Sequence, residues 1–386
     1  MRKLTIDGKT IDDQSNSYVI AEIGHNHQGD LETAKKMFRI AKECGADAVK
    51  LQKRENRSLY TEAIYNKPYD NRNSYGSTYG EHREALEFGW IEYRELFDYA
   101  KALGITMFST AFDFASADFL AKFDPPAFKI ASGDLINIPL LTHIAGFQKP
   151  MVLSTGGGSM EDVNRAYDAI MPINDQLAIL QCTASYPADF GELNLRVIPT
   201  FRERFPNTVI GLSSHDNGIV MAVAAYMLGA RVIEKHFTLN HTLKGTDHAF
   251  SLEPNGLRKM VRDLHRCREA MGDGVKRVYD TEVTPIKKMG KKLVAARDLP
   301  AGYAIKPQDI AIKSPGDGLP PYELDKVVGR VTQRALHADD DISFEVLNGV
   351  KNQSRPNFNS NLFQNLLNRV QGLPQADPEH QDAFLR

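Results

Sequence analysis

The stretch from position 232, VIEKHFTLNHTLKGTDHAF, begins as an apolar run with Val232 and Ile233, then turns into Glu234, Lys235 and His236 and adds His241, Asp247 and His248 within a dozen residues. Similar clusters of reactive side chains close other apolar runs. AEIGHNH carries Glu22, His25 and His27, AVKLQ carries Lys50 and Gln52, and MFST ends in Ser109 and Thr110. FKIASGD supplies Lys129, Ser132 and Asp134; VLSTGGG supplies Ser154 and Thr155; QCTASY supplies Thr183, Ser185 and Tyr186; GLSSHD supplies Ser213, Ser214 and His215. Lysines with hydroxyls around them suit a phosphate or a carboxylate. A carboxylate in the same cluster can move protons. Two histidines, His215 and His236, at the ends of successive runs fit an open divalent-cation site completed by water and substrate oxygens, which suits Mn²⁺ or Mg²⁺ as a Lewis acid.

Each residue alone has a plain structural reading. A lone Lys or Glu can be a satisfied ion pair, and strand-end Ser or Thr often caps the following helix. STGGG reads as a tight turn, although glycines there also let backbone N–H groups approach an anion at a helix start. His241 and His248 read as solvated loop residues rather than ligands, and Cys182 as small core filler. It is the convergence of the clusters that points to a site.

What must position them is legible in the periodicity. Short apolar runs rich in β-branched residues recur at 17–24, 47–52, 105–110, 127–132, 150–155, 177–183, 208–214 and 231–237. Amphipathic segments at 31–45, 93–104, 160–171 and 218–229 lie between them, several ending in Gly as helix C-caps do. Strands alternating with helices imply a parallel sheet, and eight such units over roughly 250 residues predict a closed (β/α)₈ barrel, an α/β fold whose chemistry gathers at the C-terminal strand ends. A doubly wound open sheet is the rival, but no strand is followed by G-x-G-x-x-G or a P-loop.

Around this barrel the chain adds three things. LTIDGKTI, with Asp-Gly between apolar residues, predicts a hairpin plugging the barrel bottom. The polar, aromatic segment 55–90 is too long for an ordinary connection and reads as a lid or substrate wall. From about 282, short strands between Pro/Gly turns predict a small β-rich domain. The expected division is a barrel domain with its hairpin over 1–280, a β-rich domain over 281–350 and an Asn/Gln/Pro-rich disordered tail over 351–386.

Composition sets limits on partners. Lys+Arg 47 against Asp+Glu 49 gives a net charge of -2, which leaves no field to draw in nucleic acid or an anionic membrane, so any anion must be held locally. Cys44, Cys182 and Cys267 are odd in number and widely spaced, which reads as reduced thiols and a cytoplasmic setting. No window reaches the length of a membrane span, and the first residues lack a signal-peptide core.

With AEIGHNHQGD, GADAVKLQ, TYGEHREALEF, FKIASGD, LSTGG, LQCTASYP, GLSSHD, IEKHFTL and KGTDHAFSLEP in order, the sequence resembles the N-acylneuraminate (sialic acid) synthases over residues 15 to 350. KKLVAARDLPAG and PGDGLPPYEL are similar to the antifreeze-like module that follows the barrel in that family. The resemblance implies condensation of phosphoenolpyruvate with an open-chain N-acylmannosamine, with release of phosphate, in a homodimer whose antifreeze-like domains cover each other's barrels. It implies catalytic roles for Glu22, Lys50, Lys129 and Asp247. Phosphoenolpyruvate would be cradled by Lys50, Lys129, Ser132, Ser154 and Ser213, and the sugar held by Gln52, Asp134, Tyr186 and Asp247. His215 and His236 would bind the divalent metal.

Two positions depart from the family pattern. IKSPGDG, with Lys313 and Ser314, stands where many bacterial members carry a Lys-Arg-Pro-Gly motif whose Arg reaches the partner's sugar, and Ala184 stands at a family Asn. The acceptor stays open among a free, a 6-phosphorylated and a diamino sugar. A metal-dependent pyruvate aldolase on the same barrel is a rival, separated by phosphate release. A sugar- or ice-binding relative without chemistry is another, disfavoured by the intact Glu22, Lys129, His215 and His236.

Overall fold

A computed structural model describes residues 2–348; the tail expected over 351–386 lies outside them. The chain divides into two compact units, Met1–Gly274 and a second from Val275 onward. The first opens with an antiparallel hairpin, β1 (Lys3–Ile6) and β2 (Lys9–Asp12), whose turn residues Asp7 and Gly8 both have positive φ, 50° and 75°. That pair of left-handed residues is what a two-residue hairpin turn demands.

Each of the eight apolar runs becomes a strand. They are β3 (Tyr18–Gly24), β4 (Ala48–Lys53), β5 (Thr106–Ala111), β6 (Phe128–Ile130), β7 (Met151–Ser154), β8 (Leu177–Cys182), β9 (Val209–Ser214) and β10 (Val232–His236). All pair in parallel and close into a barrel in the order β10-β3-β4-β5-β6-β7-β8-β9. The (β/α)₈ reading of the sequence is therefore the fold.

Side chains alternate across each strand, and the two faces have different cores. Outward residues such as Val19, Val49, Phe128, Leu153, Ile179, Ile210 and Ile233 pack against the helices Leu31–Glu43, Trp90–Leu103, Met160–Ile170 and Pro254–Met271. Inward residues Tyr18, Ile20, Ala48, Phe108, Val152, Leu180 and Val232 form a second cluster together with Leu4, Ile6 and Ile11 of the hairpin. The hairpin thus packs into the apolar lower part of the barrel interior. Two residues further along the same strands the inward positions become Glu22, Lys50, Thr110, Ser154, Ser213 and Glu234. The barrel is oil below and charge above.

Gly211 shows how tightly the lower part is filled: a methyl group there would overlap the Val232 carbonyl oxygen and the Leu180 side chain. Backbone cannot step aside as a side-chain tip can.

The second unit is described by itself. It begins with a helix, Asp280–Met289, where the sequence reading expected only short strands from about 282. Glu282 accepts from the backbone N–H of Tyr279 at 2.9 Å and so caps a helix that carries Pro285 inside it. Two antiparallel pairs follow, β11 (Lys292–Ala295) with β12 (Ile310–Lys313) and β13 (Val331–Thr332) with β14 (Leu347–Asn348). They close over Leu293, Leu299, Ile305, Val327, Leu336 and Ile342. Buried Asp309 is held by Arg297 at 2.7 Å. Lys313 pairs with Asp339, and Ser314 accepts from Lys291 at 2.6 Å. No helix among the described residues is long and apolar enough to cross a membrane.

The crowding at Gly211 predicts that Gly211→Ala lowers stability by about 1–3 kcal/mol. A urea titration followed by tryptophan and tyrosine fluorescence reads this as an earlier midpoint with an unchanged slope.

Candidate active site

Register decides which side chains meet. Glu22 lies level with His236 on one side and with Lys50 on the other, Gln52 is level with Thr110, and Glu234 is level with Ser213. These residues line one cavity of about 410 Å³ at the C-terminal ends of the strands, together with Lys129, Ser132, Ser154, Cys182, Ala184, Tyr186, His215 and Asp247.

At its floor is a charged network. Glu22 Oε2 is 2.6 Å from Lys50 Nζ, and Glu22 Oε1 accepts from Gln52 Nε2 at 2.7 Å. Lys50 also donates to Thr110 Oγ1 at 2.8 Å and lies 3.9 Å from Glu234, which accepts from Ser213 Oγ at 3.0 Å. Burial pushes the Glu22 carboxyl up to about 7 against the pull of Lys50, with Glu234 adding to the rise. Burial would raise Glu234 as well, but Lys50 and Lys129 together hold it below the ordinary carboxylate value. Of two carboxylates in one cavity, one is poised to exchange protons near neutrality and the other stays an anion.

Lys129 is different from Lys50. Its Nζ donates to Ser154 Oγ at 2.7 Å and to the Ile130 carbonyl at 2.6 Å, and it forms no ion pair among the described residues. Burial depresses its pKa. A buried ammonium held by neutral oxygens alone is a standing place for an anion.

The two histidines face each other with ring centroids 5.2 Å apart, under Tyr186 and Phe250. His215 Nδ1–H donates to the Thr183 carbonyl at 2.8 Å, which fixes the tautomer and leaves Nε2 with a free lone pair. His236 Nδ1 is buried without a hydrogen-bond partner, 3.6 Å from Asp247 Oδ2. Burial brings both imidazoles down to about 4, so both are neutral, the form that binds metals. No group of three or more His, Cys, Asp or Glu among the described residues converges as a metal cage. The donor set fits a cation held by two imidazoles, with substrate and water completing its shell.

The 55–90 insertion forms part of the cavity wall. Its Tyr75, His82 and Arg83 line it, with Arg54 just before them. Tyr75 Oη donates to the Lys244 carbonyl at 2.7 Å, Gln28 Nε2 donates to the same carbonyl at 2.8 Å, and Gly245 N–H donates to Asn73 Oδ1 at 3.2 Å. The bonds of Tyr75 and Asn73 fasten the insertion to the loop that carries Thr246 and Asp247 into the cavity, and that of Gln28 ties the same loop to the segment after β3.

Several side chains stand elsewhere than the sequence reading put them. Asp134 does not line the cavity; it accepts from Asn137 Nδ2 at 3.1 Å in the turn after β6. The three glycines after Ser154 do not line it either. The helix starts at Met160 under the cap of Ser159, and Gly156 N–H is taken by Ser132 Oγ at 2.9 Å. A side chain at Gly156 would sit 2.8 Å from that oxygen and 2.9 Å from Ala184, so glycine here serves close packing. Cys182 lines the cavity instead of filling core. His248 is buried, its Nδ1 2.6 Å from Thr238 Oγ1, whereas His241 is exposed. Arg54 and Arg83 were absent from the expected site, and Glu234, named among the strand-end groups, had no role in it. Arg54 follows Lys50 at a spacing of four and Arg83 sits in TYGEHREALEF, but only the fold brings them together.

Residues 37–276 match the NeuB family and residues 292–345 match the SAF domain. The chain is 39% identical to the N-acetylneuraminate-9-phosphate synthase of Homo sapiens, over 88% of its own length and 95% of that protein's. It is 35% identical to the N,N'-diacetyllegionaminic acid synthase of Legionella pneumophila, over 85% and 94%. Among solved structures, the N-acetylneuraminic acid (sialic acid) synthetase from Leptospira borgpetersenii is 29% identical with a TM-score of 0.65, covering 74% of this chain and 95% of that one. A barrel whose strand ends converge on one charged cavity, matched by family and by relatives along nearly their whole length, belongs to the NeuB family.

Proposed function

We propose that the chain condenses phosphoenolpyruvate with the open-chain form of an N-acylmannosamine-type sugar, forming a nonulosonic acid and releasing inorganic phosphate. The observation that carries this reading is buried Lys129, an ammonium without an ion-pair partner among the described residues, in one cavity with Lys50 and with the His215–His236 pair. One end of that cavity suits a small polyanion. The other suits a carbonyl oxygen that gains negative charge.

Lys50 and Lys129, with Ser132, Ser154 and Ser213, take the phosphate and carboxylate of phosphoenolpyruvate and hold its C3 toward the aldehyde carbon. The carbon–carbon bond forms from the C3 electron pair, the aldehyde oxygen gains charge, and C2 becomes electron-poor. Water adds to C2 and loses a proton; Glu22, with its carboxyl near 7, is the group positioned to accept it. The bond between C2 and the phosphate-ester oxygen then breaks with its electrons on phosphate, the C2 hydroxyl gives up its proton to become the keto oxygen, and the charged aldehyde oxygen takes up a proton as a hydroxyl. His215 and His236 would hold Mn²⁺ or Mg²⁺, which when bound supplies Lewis-acid polarisation of the aldehyde oxygen. Gln52, Tyr186 and Asp247 face the space left for the sugar. Asp134, turned to Asn137, has no place in this reading. The reading includes a homodimer, and sedimentation at assay concentration as a monomer counts against that part.

With phosphoenolpyruvate, Mn²⁺ and a panel of N-acylated mannosamines, phosphate and keto acid should appear in equal amounts; no phosphate from phosphoenolpyruvate, with keto acid formed only when pyruvate replaces it, would mark an aldolase instead. Lys129→Met should lower kcat/KM for phosphoenolpyruvate by about 100-fold or more, with the melting temperature held or raised, because it also removes a buried charge. Glu22→Gln should lower kcat on the order of 100-fold to 10,000-fold. His236→Ala should weaken Mn²⁺ binding, read by electron paramagnetic resonance of free Mn²⁺ without any turnover, and an unaltered binding isotherm would remove His236 from the ligand set.

A further inference from the structure

Two guanidiniums at the cavity wall have no task in the condensation as written. Arg54, buried, and Arg83, half-buried, line the cavity from β4's end and from the insertion. Their Nη1 atoms approach the same imidazole from its two nitrogens: Arg54 is 3.1 Å from His25 Nε2 and Arg83 is 3.3 Å from His25 Nδ1. A guanidinium only donates, and a neutral imidazole has one acceptor nitrogen and one N–H. His25 is neutral, since burial and the two arginines hold it well below its ordinary value. Whichever tautomer it adopts, it accepts from one arginine and turns an N–H toward the other.

The protein offers little to make up this shortage. Glu87 Oε1 lies 3.9 Å from Arg54 Nη1 and 3.5 Å from His25 Nε2, a buried carboxylate oxygen beside both that makes a hydrogen bond to neither. The other Glu87 oxygen accepts from Lys53 Nζ at 3.1 Å and from the Arg54 backbone N–H at 3.2 Å. Arg54 Nη2 donates to Gln52 Oε1 at 2.8 Å, while Arg83 Nε and Nη2 share one acceptor, the Tyr79 hydroxyl, at 3.0 and 2.8 Å. Two cations thus stand against one ring with too few acceptors between them, in a cavity that substrates must enter. Lys50 lies four residues before Arg54, about 13 Å at the rise of an extended strand, so a three-carbon donor held by the lysines leaves the arginines to the second substrate.

We propose that Arg54 and Arg83 bind a phosphate on the end of the acceptor sugar remote from its aldehyde, and so select a phosphorylated N-acylhexosamine over the free sugar. This rests on the condensation reading. Two guanidinium forks match the near −2 charge of a phosphate monoester and its set of acceptor oxygens, and they supply donors where a hydroxyl would leave them unpaired.

The test measures phosphate released from phosphoenolpyruvate with N-acetylmannosamine and with its 6-phosphate, for wild type, Arg83→Gln, Arg54→Gln and Arg83→Lys. Wild type should prefer the phosphorylated acceptor on the order of 100-fold or more in kcat/KM. Each Gln variant should shrink that ratio roughly 10–100-fold. Arg83→Lys, which keeps the charge and loses the fork, should fall between and decides the matter if a Gln variant does not fold. Equal use of both acceptors by wild type overturns the inference and leaves the condensation standing. A raised KM for phosphoenolpyruvate with an unmoved acceptor ratio overturns it too, by moving the arginines to the donor. No phosphate release with either acceptor overturns the condensation and this inference together.

Discussion

A carboxylate and an ammonium 2.6 Å apart inside a barrel, Glu22 and Lys50, must both leave water before they meet, and each gives up several kcal/mol of hydration in doing so. Their mutual attraction, with Gln52 on one oxygen and Thr110 on the ammonium, offsets part of that loss. Only a scaffold with ample apolar packing beneath can carry the rest. Tyr18, Ile20, Phe108, Val152 and Leu180, closed off by Leu4, Ile6 and Ile11, form that base. The reactive layer is tolerable because the layer under it is dry and full.

The same arrangement divides labour between groups of one kind. Glu22 and Glu234 share a cavity, yet one is pushed up by burial and the other held down by two lysines. Lys50 and Lys129 are both buried, yet one is paired and the other is held by neutral oxygens. No side chain was altered chemically to obtain these differences. Strand register, which sets Glu22 level with Lys50 and with His236, is enough.

Much of this was legible in the chain. The apolar runs of β3 to β10 stand out because parallel strands of a closed barrel are packed on both faces, and a charge at the end of such a run has few reasons to be there. Glu22, Lys50, Lys129, Ser154, Ser213, His215 and His236 were visible on that ground and converge in the structure. Asp134 was misplaced because a strand's last residues stop alternating once β6 gives way to a tight turn after three residues. The glycines after Ser154 read as an anion cradle, but their local signal is the same as that of a turn packed against Ala184. Arg54 and Arg83 lie 29 residues apart in segments of no regular period, and nothing local says that both will touch His25. Helix Asp280–Met289 was hidden by its proline.

The hairpin at the barrel's lower end has a further consequence. With Leu4, Ile6 and Ile11 packed among the inward side chains, the cylinder has a stopper, and the charged cavity lies at the other end. The charged layer is thereby sealed from below by a segment far from it in the sequence, so the first dozen residues of the chain form the base on which the cavity rests.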